Sequence, residues 1–349
     1  MEDVPNPNIK TLRDIARAAG VSLATVDRVL HDRPGVRPAT FQRVKETIER
    51  HKFRPHAAAA ELARSRQRRF AFVMPSGPNL FMQQILAQLG ELDGWMRARR
   101  VTLNIVSTDV LDPECLVHTL ESFSGVAELD AVAVVALDHP RVRAVIDDLV
   151  AGGKKVITLI SDVPSSRRCH YVGIDNIAAG RTAGALVGRL TGGRAGKIAV
   201  VAGSQDLRDH AERVLGFRQV INAEFPAIEI LPVLEGRDDD HRSENVTQDL
   251  LRQNEDVVGL YNVGAGTEGV ANAIIKNPRR NRLIFVGHDF TAVTRRLLLN
   301  GVMDAAISQN PGHQARAAVR VLLALATDEP ILSEQEKIRI DIIMRDNMP

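Results

Sequence analysis

The chain has 349 residues, 44% hydrophobic, 4% aromatic and 25% charged, which fits an ordinary globular protein long enough for more than one domain. It has no apolar run of about eighteen residues, and its polar, proline-bearing start MEDVPNPNIK lacks an export signal's pattern, so we expect no membrane span and a cytoplasmic protein. Net charge is a mild +2 but unevenly placed: residues 1–69 hold 15 Lys and Arg against 8 Asp and Glu, and the remainder 30 against 35. A basic head on a slightly acidic body implies that the head alone meets a polyanion. Cys115 and Cys169 lie far apart without metal-site spacing, which reads as reduced thiols.

In chain order, Thr11 can cap a helix through Leu12, Ile15, Ala16 and Ala19, with Asp14 at its third position, and Gly20 ends it. Ser22 caps the next helix, whose Val26, Val29 and Leu30 fall on one face and leave Leu23, Ala24, Asp27 and Arg28 outward. Pro38 suits the first turn of a third helix, where Phe41, Val44, Thr47 and Ile48 close a small core. Helices alone would favour a bundle used for dimerisation. The single-glycine turn, the short-chained outward start of the second helix and the flanking arginines favour a helix lying in a DNA major groove.

The stretch TLRDIARAAGVSLATVDRVLHDRPGVRPATFQRVKETIERHKFRPHAAAAELAR closely resembles the DNA-binding headpiece of the lactose-repressor (LacI) family of transcription regulators. The resemblance implies that Leu23, Ala24 and Arg28 read bases, and that Thr11, Ser22 and Thr25 bond phosphates or cap helices. Asp27 and His31 stand where the family usually has serine and asparagine, and Arg37 where it has a serine or threonine cap. A carboxylate near phosphates must pair with a neighbour such as Arg28 or accept from a cytosine amino group. Pairing with an arginine is the simpler of the two.

RPHAAAAELARSRQRR follows. Four successive alanines favour a helix, but one this short is marginal in water without a partner. In the family this is the hinge helix that orders on operator DNA beside its twofold mate. The resemblance carries DNA contact to His56 and Ala59 and makes Leu62 the minor-groove wedge; otherwise the segment is an arginine-rich solvated linker. We therefore expect a helix-turn-helix headpiece over 1–54 and a hinge over 55–69.

From residue 70 the apolar runs FAFVM, VTLNIV, AVAVVAL, KVITLI, GKIAVVAG, IEILPVL, VVGLYNV, RLIFVGH and DAAIS alternate with stretches of helical length, and KIRIDIIMRDNMP closes with a strand-like alternation. Such alternation predicts α/β architecture with parallel sheets in two lobes. It resembles the periplasmic-binding-protein-like core of the same family, with lobe one over about 70–173 and 309–328, lobe two over the remainder of 70–349, and a ligand between them at the strands' carboxyl ends. The tail lacks a leucine heptad, so we expect a homodimer without a further tetramerisation helix.

Gly264-Ala265-Gly266-Thr267-Glu268-Gly269, after a strand and opening a helix with Asp289 about twenty residues on, also matches a dinucleotide-binding fingerprint. A nicotinamide-dependent oxidoreductase is therefore the competing reading, although no catalytic histidine or cysteine arrangement surrounds the loop. Asp238-Asp239-Asp240-His241 reads as the acidic front of a helix rather than a metal site.

In the cleft, the resemblance assigns effector contacts to Asn79, Phe81 and Met82 after the first strand, to Arg213 in RVLGF, to Asp289 after IFVG and to Gln309 in ISQNP, with Ser161 and Asn262 as further candidates. Acid, amide and arginine around apolar faces suit a sugar or polyol, whose hydroxyls both donate and accept. Alternatively Arg213 and Asp289 form an interlobe salt bridge. Ile160-Ser161-Asp162 stands where ribose-type binders have an Asp-Arg pair, so no particular pentose follows. The expected function is a repressor that binds operator DNA under carbohydrate control, without catalysis, cofactor or membrane.

Overall fold

The structure, a computed structural model, describes residues 12–30, 34–51 and 66–349. The chain divides into two compact units, residues 1–67 and 68–349.

The first unit holds α1 (Leu12–Ala19), α2 (Leu23–Leu30) and α3 (Pro38–Arg50). None is long enough to persist alone in water. Their stability comes from a shared core of Ile15, Ala16, Ala19, Val26, Val29 and Val44, with Leu12, Leu30, Phe41 and Ile48 packed at its edge. Gly20 sits at φ 64°, where a side chain would be strained. Its amide donates to the Arg17 carbonyl at 3.3 Å and that of Val21 to Ala16 at 3.0 Å, the paired bonds that close a helix through a left-handed residue. Arg37 precedes α3 without a side-chain cap, and Pro38 fills the first turn where no amide donor is needed.

In the second unit, lobe one is a parallel sheet of β1 (Arg68–Pro75), β2 (Val101–Thr108), β3 (Ala131–Val134), β4 (Lys155–Leu159) and β5 (His170–Val172), ordered β2-β1-β3-β4-β5. It is covered by α4 (Leu80–Glu91), α5 (Asp93–Ala98), α6 (Pro113–Glu121) and α7 (Pro140–Ala151). Phe70, Phe72 and Met74 of β1 enter one hydrophobic cluster while Ala71 and Val73 enter another. A strand buried on both faces needs that continuous apolar run.

Lobe two contains α8 (Asn176–Leu190), β6 (Gly196–Ala202), α9 (Arg208–Glu224), β7 (Ile228–Ile230), β8 (Leu234–Glu235), α10 (Asp240–Gln253), β9 (Val257–Asn262), α11 (Thr267–Lys276), β10 (Ile284–His288), α12 (Ala292–Leu299) and β11 (Ala305–Ser308). Then α13 (Pro311–Thr327) returns to pack on α4 and β4, α14 (Ser333–Glu336) follows, and β12 (Asp341–Ile343) joins β11 antiparallel. The second sheet runs β12-β11-β10-β9-β6-β7, with β8 also beside β6. The chain thus crosses between lobes after β5, after β11 and before β12.

The α/β class, parallel sheets and two lobes agree with the sequence reading. Two details differ. HYV forms β5, too short a run to announce itself, and IEILPVL splits into β7 and β8 around Pro232, which has no amide to donate to a ladder.

In both lobes the first strand has neighbours on either side that the chain reaches in opposite directions, β2 and β3 around β1, β7 and β9 around β6. A crevice opens at the carboxyl ends of such strands. Behind it, α8 and α9 pack backbone to backbone: a Cβ at Gly180 would run into the Arg213 carbonyl, and one at Gly216 into that of Ile177. Gly180→Ala should therefore destabilise the second unit by at least about 1–3 kcal/mol, seen as a lower midpoint of unfolding by circular dichroism. An unchanged midpoint would mean that this contact is not tight.

Candidate functional site

Between the lobes lies a cavity of about 220 Å³ walled by Asn79, Phe81, Met82 and Ser161 from lobe one and by Asp209, Arg213, Asp289 and Gln309 opposite. Asn79 caps α4, its Oδ1 accepting from the amides of Phe81 at 3.0 Å and Met82 at 3.2 Å, while its Nδ2 donates across the cleft to Asp238 Oδ2 at 3.2 Å. Because one side chain does both, the start of α4 is fixed against the opposite lobe. Gln84 adds a second tie, donating to the Phe290 carbonyl at 3.0 Å. Phe81 is buried and Met82 half-buried, which gives the wall an apolar face.

Ser161 follows β4 through Ile160, which is held at φ 66°. The Ser161 residue is 1% exposed and its Oγ has no hydrogen-bond partner among the described residues. Asp162 turns instead to Arg168, whose Nη2 donates to its Oδ2 at 2.6 Å, and accepts from Thr158 at 2.6 Å.

Arg213 is the best-held side chain of the site. Its Nε donates to Asn176 Oδ1 at 2.9 Å and its Nη1 to the Val263 carbonyl at 2.9 Å. Its Nη2 reaches Gln309 Oε1 at 3.5 Å and Asp209 Oδ2 at 3.7 Å. Gln309 passes the network on: its Nε2 donates to Asp289 Oδ1 at 3.0 Å and its Oε1 accepts from Gln314 at 3.0 Å. Arg213 and Asp289 are both on lobe two and are joined through Gln309, so they do not form the interlobe salt bridge that was the simpler alternative. Burial pushes the Asp289 carboxyl up to about 6, and the Arg213 charge and the Gln309 hydrogen bond only partly oppose it.

The structure therefore brings Asn79, Phe81, Met82, Ser161, Arg213, Asp289 and Gln309 together around one cavity. Asn262 is not on its wall. Its Nδ2 is spent under the glycine loop, on the Gly264 carbonyl at 2.8 Å and Thr267 Oγ1 at 2.9 Å, because an amide at the end of β9 is the nearest donor for that turn. Asp209, His210 and Asp238 line the cavity without having been predicted. Asp209 stands four residues before Arg213 on one helix face, a spacing that could have revealed it. Asp238 was hidden in the acidic run, of which Asp239 does cap α10.

The GAGTEG loop has the strand–loop–helix setting of a dinucleotide site, yet the space beside it is only about 60 Å³ and is faced by Asp238, Asp240, Glu268 and Asp289. A pyrophosphate would be repelled there. The glycines have a packing reason, since a Cβ at Gly269 would strike the Asp240 carbonyl of α10.

On the first unit, Ser22, Leu23, Ala24 and Arg28 are exposed along the start and outer face of α2, with Thr25 and Asp27 half-buried beside them. The Ser22 Oγ accepts from the Thr25 amide at 3.2 Å and lies 2.9 Å from Thr25 Oγ1, so both hydroxyls are engaged at the helix start. Leu23, an apolar side chain 42% exposed on a helix this short, marks a face left open by the described residues of its unit. Thr11, His31, His56, Ala59 and Leu62 lie outside the described residues. Among the described residues no helix is long and apolar enough to cross a membrane, and no group of three or more His, Cys, Asp and Glu could hold a metal.

Residues 70–330 match the periplasmic binding protein domain, and residues 11–56 match the bacterial regulatory proteins of the lacI family. Catabolite control protein A of Priestia megaterium is 25% identical over 291 residues, 81% of this chain and 83% of that protein. Among solved structures, GanP, a glucose-galactose binding protein from Geobacillus stearothermophilus, is 21% identical with a TM-score of 0.74 over 82% of this chain and 100% of its own. A solute-binding protein from Burkholderia graminis, solved with D-arabinose, is 22% identical with a TM-score of 0.71, over 81% of this chain and 97% of its own. These structural likenesses concern the fold.

A carboxyl whose pKa is raised by folding stabilises the fold fully below its ordinary value near 3.8 and loses that contribution as pH rises through about 6. Between about pH 4 and pH 7 the unliganded protein should lose stability from this group, and Asp289→Asn should flatten that part of the profile. Thermal unfolding of both proteins across this range checks it, and parallel profiles would contradict the assignment.

Proposed function

Because this chain belongs to the periplasmic binding protein domain family and carries the DNA-binding head of the lacI-family bacterial regulators, it is a DNA-binding transcriptional regulator, and we propose that it is a repressor released or recruited by a small carbohydrate or polyol held between its lobes. The observation that carries the effector half is the set of buried polar atoms on the cavity wall, Ser161 Oγ, Asp209 Oδ1 and Asp238 Oδ1, that have no hydrogen-bond partner among the described residues. Leaving such groups unmade costs about 1–3 kcal/mol each, and a polyhydroxylated ligand satisfies them while its CH face meets Phe81 and Met82. Asp289 and Gln309 hold further hydroxyls, and Arg213 orients both.

The proposed regulator acts in the cytoplasm as a homodimer on a near-palindromic operator, since twofold symmetry in the protein is read as twofold symmetry in the site. Leu23, Ala24 and Arg28 face the bases, Ser22 and Thr25 fix the helix start near phosphates, and Leu62 wedges the minor groove. The ligand acts by favouring one arrangement of the lobes, and only the difference in its affinity for the arrangements can shift DNA binding. The reading assigns no reaction and no cofactor to the chain.

Operator duplexes selected from a random library supply the assay, read by fluorescence anisotropy. Arg28→Ala should cost about 1–3 kcal/mol on the selected duplex and relax preference at one base pair. Equal weakening on every sequence would make Arg28 a phosphate contact instead. Asp289→Ala should abolish the response to the best ligand of a sugar and polyol thermal-shift panel while leaving DNA affinity without ligand near that of the parent. Outright loss of DNA binding would refute the cleft assignment.

A further inference from the structure

We infer that the effector carries a protonated amine, so that the cleft selects an aminated sugar or polyol over its neutral counterpart. This rests on the effector reading above and narrows it to one ligand class.

Arg213 is 1% exposed and donates three hydrogen bonds into the protein, to Asn176, the Val263 carbonyl and Gln309, with Asp209 Oδ2 3.7 Å from its Nη2. Among the described residues, the atoms left without a partner on the cavity wall are two carboxylate oxygens, which only accept, and one hydroxyl, which both donates and accepts. Asp209 is 4% exposed, and these atoms are its Oδ1, the Oδ1 of Asp238 and the Ser161 Oγ. Asp289 completes three inner carboxylates. Against them stand Arg213 and the His210 ring, which lies 3.8 Å from Asp209 and has its Nδ1 3.1 Å from the Ser204 carbonyl. Carboxylates outnumber cations even when His210 is counted as one. At the rim, exposed Asp109 and Asp239 also outnumber exposed Arg237.

Buried carboxylate oxygens without a donor are costly, and a neutral hydroxyl brings one donor and no charge. An ammonium brings three donors and the missing charge, in hydrogen bonds roughly twice as strong as neutral ones. The high Asp289 carboxyl agrees: burial is its main cause, and the neighbouring Asp209 and Asp238 push it the same way. A metal ion is the other way to supply the charge, but the described residues offer no group of three or more His, Cys, Asp and Glu to hold one.

Isothermal titration of the full chain at neutral pH would compare D-glucosamine with D-glucose and N-acetyl-D-glucosamine, and 1-amino-1-deoxy-D-sorbitol with D-sorbitol. The expected result is at least about tenfold tighter binding of an amine than of its neutral partner, lost on N-acetylation. Asp209→Asn and Asp238→Asn, which keep the side-chain shape, should bring the amine down to its neutral partner, with far-UV circular dichroism confirming that each variant is folded. Neutral sugars binding as tightly as the amines, or more tightly, would overturn the inference and leave the carbohydrate reading standing. A panel in which neither class binds would count against both.

Discussion

A guanidinium with no access to water must be held on every side, and much of the ligand-binding unit is arranged around that demand at Arg213. Its partners come from the start of α8, the end of β9, its own helix and the crossing after β11. An ion so deep costs several kcal/mol in desolvation unless its hydrogen bonds are made, so those four places are fixed relative to one another. Gly180 and Gly216 let α8 and α9 approach closely enough for the Asn176 contact. The same side chain that serves the cleft thus also anchors the fold around it.

Gln309 ties this arrangement to a crossing between the lobes. It lies where the chain leaves lobe two for lobe one, accepts toward Arg213, donates to Asp289 and is itself held by Gln314 of α13. A ligand hydroxyl or ammonium that changed the charge or hydrogen bonding at Asp289 would act on a residue that is part of the crossing. Asn79 joins the lobes on the opposite side, since one amide both starts α4 and meets Asp238. The cleft wall and the lobe arrangement therefore share side chains, so a change at one reaches the other through the same contacts.

The head solves a different problem with fewer residues. Among its described residues, Ile15, Ala16, Ala19, Val26, Val29 and Val44, with Thr47 also buried, hold three short helices together, and the turn at Gly20 takes almost no length. That economy leaves Leu23 and Arg28 exposed side by side with Ala24, a surface that gains a reason once a groove is available to receive it.

The sequence by itself determined the periodic parts. The i, i+3, i+4 stripe of Val26 and Val29, the cap at Ser22, the stop at Gly20 and the continuous apolar run of β1 each follow from local rules of backbone and burial, and they were legible for that reason. Chain order and the family likeness of the cleft motifs also placed Asn79, Arg213, Asp289 and Gln309. Tertiary structure decided what depends on distance between segments far apart in the chain. It turned Asn262 under the glycine loop, took Asp162 to Arg168, set Asp238 against Asn79 and placed Gln309 between Arg213 and Asp289. A side chain's direction depends on which partners reach it first, and those partners arrive only when the two sheets are packed.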